Sequence, residues 1–409
     1  MDTEEGHLLP SFGLAHSLKH RGHRICYLTI IDNEELVKEQ GFEFRPILEN
    51  IYCKGYKEKY RKLSPPPGVK SPDVSLQKEY NEHISQLMKG AYDSIIEELG
   101  ANLIIISAFL NLDTLILHYK YNIIPVIFTP FLRMPESTPA KDCYDLLNDT
   151  PADAMFPIVE FVINQGYNID SLEQLVRPMD MFYELIACPH DLEISRNDSR
   201  ENLFYIGPSM RNGIATEDVY TQYNIQDGKK IIYASMGSQP VRHGDICDVF
   251  FGKIINVMKC EELKDAHLIL SVGPEYNLEK LTPLPGNITA ERWVSQIDIL
   301  KVASLAITHG GLGSVKECIY YGVPMIVFPL GYDQPQNARR VKFHNLGLTD
   351  EIETISEDSL KLYMLQAMQE GGIRDCVLRM QQVFRKKEEA SLGADIIEKL
   401  LLKKEQDLL

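Results

Sequence analysis

Leu305-Ala306-Ile307-Thr308-His309-Gly310-Gly311-Leu312-Gly313-Ser314-Val315-Lys316-Glu317 is the stretch that decides how this chain reads. A short apolar run meets a glycine-rich turn, and an amphipathic segment follows without a gap. That order predicts a parallel strand, a tight turn and the start of a helix. Such a turn leaves backbone N–H groups unpaired and aims the positive end of a helix dipole at one spot, which suits an anion and above all a phosphate. Gly311 and Gly313 let the backbone approach a ligand closely. His309 adds a ring donor, Ser314 a hydroxyl, and Glu317, one turn further on, a carboxylate that can accept from a sugar hydroxyl. A plain glycine-capped turn between strand and helix would share the glycines, so the flanking residues must decide.

The flanks are specific. Upstream stands Glu291-Arg292-Trp293-Val294-Ser295-Gln296, with the one Trp of the chain. Downstream come Gly322-Val323-Pro324 and then Asp333-Gln334-Pro335-Gln336-Asn337-Ala338. Together these segments resemble the nucleotide-sugar signature of the plant-type and antibiotic macrolide-type UDP-glycosyltransferases, family 1 of the GT-B fold: W-x-[PS]-Q, then H-x-G-x-x-S-x-x-E, then G-V-P, then D-Q-x-x-N-A. A chance match would need about ten residue types at fixed offsets across separate elements.

Composition narrows the class. The 409 residues exceed one ordinary domain and fit two. With 44% hydrophobic and 24% charged residues, the chain has the make-up of a soluble globular protein. A net charge of -16 argues against nucleic acid or an anionic membrane surface as partner. No apolar run reaches the roughly 18–20 residues that cross a bilayer. The acidic, polar start Met1-Asp2-Thr3-Glu4-Glu5 lacks the features of a signal peptide. The eight cysteines form no C-x-x-C pair, which predicts reduced thiols in a cytoplasmic protein.

Strand and helix patterns alternate along the chain. Gly6 to Leu18 reads as helix, Arg24–Ile30 and Phe42–Ile47 as strands, and Asn33–Gln40 as a short helix between them. Glu49 to Asp73 reads as irregular and Val74 to Leu99 as one long helix. Leu103–Ile106 and Ile124–Thr129 are further strands around a helix at Asp113–Tyr121. Arg133 to Met181 breaks the alternation with a proline-rich stretch of a few short helices. Such long connections on α/β sheets commonly build binding sites. Leu185–Cys188 and Leu203–Ile206 restore strands, Gly207 to Thr221 reads as a linker, and a second series opens at Lys229–Ser235. His267–Val272 and Asn287–Ala290 follow as strands before the signature, and after Asn345 the pattern is helical. The alternation predicts doubly wound parallel sheets. The reading is an α/β chain of two Rossmann-like domains facing a cleft, with residues 1–210 taking the acceptor and residues 211–409 the nucleotide sugar. In the fold it resembles, the last helix crosses back onto the first domain.

The resemblance implies a division of labour. His7, in Gly6-His7-Leu8-Leu9-Pro10, matches the G-H-x-x-P base of the family, and an imidazole with an ordinary pKa near 6.5 suits that task. Gly237 and Ser238 match a turn that touches the distal phosphate. Trp293 with Val294 and Gln296 takes the base of the nucleotide, and Glu317 the ribose. His309, Gly311, Gly313 and Ser314 take the diphosphate, and Asp333 and Gln334 the sugar hydroxyls. The implied reaction is an inverting transfer of a hexose, from UDP-glucose or a close relative, to a hydroxyl of a small, largely apolar acceptor. No metal or other cofactor is implied, since no Asp-x-Asp motif or ligand-spaced His/Cys cluster occurs. Two departures stand out. The family has an apolar strand before the Gly-His, and here only Met1 to Glu5 precede it, which predicts a gap in the first sheet and roughly ten further residues upstream. The family also places an Asp after a D-L-[VI]-[VI]-x strand to orient the His; this chain has Ser107 there, and the helix that carries Asp113 is expected to turn it away. These departures keep open an auxiliary protein that binds nucleotide without turnover, and the shared fold keeps open a nucleotide-sugar epimerase.

Overall fold

A computed structural model of the chain describes residues 5–63, 73–134, 136–194, 200–211, 218–237, 243 and 245–407. The second half is built on one parallel sheet. Its strands are β7 (Lys230–Ser235), β8 (Ala266–Ser271), β9 (Ile288–Glu291), β10 (Ala303–Thr308), β11 (Met325–Val327) and β12 (Gly347–Thr349); the first half supplies β1 (Cys26–Thr29), β2 (Glu43–Pro46), β3 (Ile105–Ser107), β4 (Val126–Thr129), β5 (Glu184–Ile186) and β6 (Leu203–Tyr205). The large sheet has the order β12-β11-β10-β7-β8-β9, every pair parallel. The chain enters at the centre, runs outward to β9, returns past β7 and runs outward again to β12. The winding therefore reverses between β7 and β10, where Ser235 pairs with Thr308. In open α/β sheets the crevice beyond the carboxyl ends of two such strands is the ligand position.

Sequence explains why this sheet is so regular. Ile231, Tyr233, Ile269, Ala306, Met325 and Val327 pack into one core layer. Their neighbours Ile232, Ala234, Leu268, Leu270, Ile307 and Ile326 pack into the other. Adjacent residues face opposite sides, so a strand covered on both faces must be a continuous apolar run. The helices Leu312–Tyr321 and Ile373–Glu389 close one face, with Val315, Ile319, Val377 and Phe384 fully buried. The helix Asp245–Val257, absent from the sequence reading, closes the other through Phe250, Phe251 and Ile254.

The first half has two parallel sheets, β1-β2 and β3-β4-β5-β6. Among the described residues no ladder joins β1 to β3, although Leu28 of β1 packs against the core that holds Ile106 of β3. Around these sheets lie the helices Ser11–His20, Asn111–Tyr121, Pro139–Asn148 and Ala152–Asn164. The last helix, Leu392–Asp407, packs Ala394, Ile396 and Ile397 against Leu14, Leu18, Phe128 and Leu185 of the first half. Arg21 fixes it through Asp395 at 2.6 Å and Glu398 at 2.8 Å.

Three expectations need correction. The irregular stretch from Glu49 to Asp73 contains a helix, Tyr56–Leu63. It is a charged surface helix with a Glu58–Lys62 pair and little apolar periodicity to reveal it. The long helix from Val74 breaks into Val74–Met88 and Asp93–Leu99, because Gly90 takes φ +99° between them. After Asn345 the chain first adds β12 to the sheet, and only then becomes helical; three residues are too few for a strand pattern to show.

Candidate active site

The crevice at the winding reversal is lined by two turns. After β7 the chain runs Ser235-Met236-Gly237, with Gly237 at φ +86° and its N–H donating to the Ser235 hydroxyl at 3.3 Å. After β10 it runs His309-Gly310-Gly311 into the helix Leu312–Tyr321. The glycines are dictated by contact. A Cβ on Gly237 would lie 2.9 Å from the His309 ring, one on Gly311 2.7 Å from its Nε2, and one on Gly310 2.6 Å from Val327. The His309 ring is thus held between two glycine backbones. A Cβ on Gly313 would meet nothing within 4 Å, so the first turn of the helix faces open space, as a phosphate pocket requires. Ser238 lies outside the described residues.

His309 is uncharged at neutral pH. Burial pushes its pKa down to about 4, and the nearby His243 pushes in the same direction against a hydrogen bond to the Ser235 backbone. The ring is therefore neutral, with its one N–H engaged by the Ser235 backbone.

Glu317 sits one turn along the same helix and is already engaged. Its Oε2 accepts from Gln296 Nε2 at 2.6 Å, and its Oε1 from Arg211 Nε at 3.3 Å. Gln296 also donates to Ser314 Oγ at 3.3 Å and accepts from the Tyr233 hydroxyl at 2.9 Å. The structure thus joins Gln296, Ser314 and Glu317 in one hydrogen-bonded set. Val294 is buried in the core beneath them. Trp293 stands out from it, 54% exposed, with ring surface available for stacking.

Asp333 stands at the start of the helix Gln334–Phe343. Its Oδ2 accepts from Asn337 Nδ2 at 2.8 Å, and the same amide group donates to the Gly310 carbonyl at 2.9 Å. One buried Asn therefore ties the glycine turn after β10 to the Asp333 carboxylate. Asn337 in turn accepts from Arg340, whose guanidinium donates twice to Glu193, at 2.9 and 2.8 Å, on the segment after β5. Burial raises the pKa of Asp333, against the Asn337 hydrogen bond and the field of His7. Gln334 is tied inward: its Oε1 accepts from the Leu330 and Gly331 N–H groups at 2.7 and 3.1 Å, so its amide NH2 is the part that remains for a ligand.

His7 reaches this crevice from the other side. It lies in a short helix, Glu5–Leu8, and stacks on Phe109 with ring centroids 3.7 Å apart and planes 18° apart. Phe131 packs on Phe109 at 5.0 Å. Ser107, at the end of β3, accepts from the Phe109 N–H at 3.5 Å. Asp113 is turned inward: its Oδ1 meets His83 Nε2 at 2.9 Å, and Tyr52 meets the other His83 nitrogen at 3.1 Å. Burial would raise the Asp113 pKa; the charge and hydrogen bond of His83 outweigh it and hold it low.

The two halves are locked by a buried lysine. Lys316, in the signature helix, donates to the carbonyls of Ala187 at 2.5 Å and Pro208 at 2.7 Å, both at the end of the first half. Sequence reading missed Arg211, Tyr233, Lys316, Arg340 and Glu193 as parts of the site's frame, because most of their partners lie 60 or more positions away in the chain. Among the described residues no three His, Cys, Asp or Glu side chains gather as metal ligands, and no helix is long and apolar enough to cross a membrane.

Known proteins share both this fold and these segments. Residues 257–391 match the family described as erythromycin biosynthesis protein CIII-like, C-terminal domain. The NDP-glycosyltransferase YjiC of Bacillus subtilis (strain 168) is 24% identical over 407 residues, spanning 97% of this chain and 95% of that protein. The uncharacterized UDP-glucosyltransferase YojK of the same organism is 23% identical over 385 residues, spanning 89% and 87%. Among solved structures, the glycotransferase of kitacinnamycin superposes with a TM-score of 0.74 at 23% identity, over 97% of this chain and 96% of that one. The matched C-terminal segment and the nearly full-length relatives support a glycosyltransferase, and the two-domain parallel architecture is the GT-B fold.

Proposed function

We propose that the chain transfers a hexose from a UDP-sugar, UDP-glucose or a close relative, to a hydroxyl of a small, largely apolar acceptor, with inversion at the anomeric carbon. The observation that carries this reading is the crevice beyond β7 and β10, lined by the hydrogen-bonded set of Gln296, Ser314 and Glu317 and by the Asp333 carboxylate that Asn337 ties to the glycine turn. The donor lies along the signature. Trp293 stacks on the base. Glu317, oriented by Gln296, holds the ribose hydroxyls. His309, Ser314, the Gly311–Gly313 helix start and the turn at Gly237 meet the diphosphate. Asp333 and the Gln334 amide hold the sugar. The acceptor lies against Phe109 and Phe131, next to His7.

The reaction is one displacement. The acceptor oxygen attacks the anomeric carbon as its proton passes to a His7 ring nitrogen. The bond from that carbon to the diphosphate oxygen breaks, and the nucleotide leaves with the electron pair. Charge growing on the diphosphate is met by fixed donors, which need no rearrangement at that moment. Backbone N–H groups at the helix start and the Ser314 hydroxyl supply the donors, and His309 adds a second N–H once its ring is protonated beside the diphosphate. The UDP-glucosyltransferase name of a relative supports the choice of donor.

The test is to assay UDP- and TDP-sugars against phenolic, macrolide and sterol acceptors, with the anomeric configuration of any product read by NMR. An inverted glycoside made by the wild type and lost in His7→Ala supports the reading. A retained configuration, or full activity in His7→Ala, overturns it. Ser107 in place of a carboxylate favours one second reading, an auxiliary protein. UDP binding with no turnover across the panel would establish that instead.

A further inference from the structure

We propose that Arg211 is a positioning residue for donor selection: it holds the Glu317 carboxylate so that the site distinguishes a ribonucleotide from its 2′-deoxy counterpart. The proposal rests on the reading of Glu317 as the group that holds the ribose. A carboxylate receives two neighbouring hydroxyls well only if its plane is fixed beforehand. Glu317 is gripped on both oxygens. Gln296 Nε2 donates to Oε2 at 2.6 Å, and Arg211 Nε donates to Oε1 at 3.3 Å. A carboxylate oxygen that accepts one such bond keeps a second lone pair for a hydroxyl. The two grips come from different places. Gln296 lies in the same half as Glu317 and is itself held by the Tyr233 hydroxyl. Arg211 arrives on the segment that joins the halves. The Arg211 and Glu317 side chains are 23% and 12% exposed, so the pair is partly shielded from water.

A positioning residue must itself be placed, and residues 207–210 place Arg211. Gly207 takes φ +96°, and a Cβ there would lie 3.0 Å from the Lys387 carbonyl oxygen. The Pro208 carbonyl accepts from buried Lys316 at 2.7 Å, and the Met210 N–H donates to Glu388 Oε1 at 2.9 Å. Between them Ser209 turns to the first half. Its hydroxyl donates to the Pro10 carbonyl at 2.7 Å and accepts from the Leu14 N–H at 3.1 Å. Gly13 makes room for this contact, since a Cβ on it would lie 2.5 Å from the Ser209 carbonyl carbon. Ser209 takes φ +50°, a conformation that a non-glycine residue keeps only where its surroundings fix it. The chain thus reaches Arg211 already bound to the signature helix, to the helix Ser11–His20 and to the helix Ile373–Glu389. The carboxylate that meets the ribose is thereby tied to the junction of the halves.

The experiment titrates UDP and 2′-deoxy-UDP calorimetrically into wild type, Arg211→Met, Arg211→Lys and Glu317→Ala, all as full chains. The readout is the ratio of the two affinities, because a general loss of fold or of positive charge lowers both together. Wild type should bind UDP at least about tenfold more tightly, the effect of one hydroxyl bonded to a charged group. Glu317→Ala should abolish that preference. Arg211→Met, or Arg211→Gln should the first not fold, should cut it by at least about threefold, since one of two grips is lost. Arg211→Lys keeps a charged donor on a flexible stem and should recover part of it. A wild-type ratio in Arg211→Met, with the preference lost in Glu317→Ala, overturns the proposal and leaves the ribose reading standing. So does an equal weakening of both nucleotides in Arg211→Met. A wild type that binds the two nucleotides equally, or a Glu317→Ala protein that keeps the preference, removes the ribose reading and the proposal with it.

Discussion

The two halves of the molecule build their sites by different means. In the second half β8 and β11 are buried at every residue, and the turn after β10 is shaped by backbone: glycines that no Cβ could replace, a helix start, and an Asn that ties turn to carboxylate. In the first half β1 and β3 are partly exposed, and the face toward the cleft is made of side chains: His7, Phe109 and Phe131. A backbone-built site tolerates little change. A site built of side chains can be re-shaped residue by residue.

This contrast predicts where substitutions act. The largest effect belongs to His7→Ala, with kcat reduced about 10²–10⁴-fold, the usual contribution of a general base, while calorimetric UDP affinity stays at the wild-type value. A matching loss of UDP affinity would break the division between halves. Next is the frame between them. Glu193→Ala strands the Arg340 guanidinium in a buried place, where both partners of the pair are under 10% exposed. Breaking such a pair costs about 3–5 kcal/mol. We expect a lower unfolding midpoint in urea, and Glu193→Gln should recover part of it. A midpoint unchanged in Glu193→Ala would show that the halves do not depend on that pair.

Smaller effects separate the parts of the donor site. His309→Ala should weaken UDP-glucose binding by about 1.5–3 kcal/mol, the range for a hydrogen bond to a charged group, and Ser314→Ala by less. Unchanged affinity in His309→Ala would remove the phosphate assignment. Asp333→Ala should cost UDP-glucose affinity or turnover while free UDP binds nearly as before. An equal loss of UDP binding would move Asp333 from the sugar to the nucleotide.

The same contrast governs what could be read from sequence. His309, Gly311, Ser314, Glu317 and Asp333 were legible because a backbone-built pocket ties residue types to fixed offsets. The buried parallel strands followed from continuous apolar runs such as Ile231–Ala234 and Leu305–Ile307, but the strand order that puts the reversal between β7 and β10 did not. The stack of His7 on Phe109 left no such trace, since the two lie about a hundred residues apart and nothing in either local pattern names the other. The inward turn of Asp113 followed from its helix, but its partner His83 did not. Arg211, on Glu317, and Lys316, on two carbonyls of the first half, are equally silent, because a charge in sequence does not declare its partner.

The last and smallest effect concerns pH. His309 has its pKa pushed down to about 4 in the folded chain, first by burial and then by His243, whereas an unfolded chain gives histidine about 6.5. Between those values the unfolded state binds the extra proton, so stability falls as pH drops from about 6.5 toward 4; above 6.5 both states are neutral and this group adds no slope. Only partial burial discounts the effect, which leaves roughly 1–2 kcal/mol of extra loss at pH 4.5 in wild type relative to His309→Asn. Urea unfolding of both proteins at pH 7 and 4.5 measures it. UDP-glucose should act in the opposite sense, because its ionised diphosphate favours the protonated ring and raises its pKa. Its stabilisation of the wild type should therefore grow from pH 7 to pH 5, and in His309→Asn it should not. Equal growth in both proteins would place the diphosphate away from His309. The backbone turn after β10 would then be a structural feature of the sheet, with no part in holding the donor.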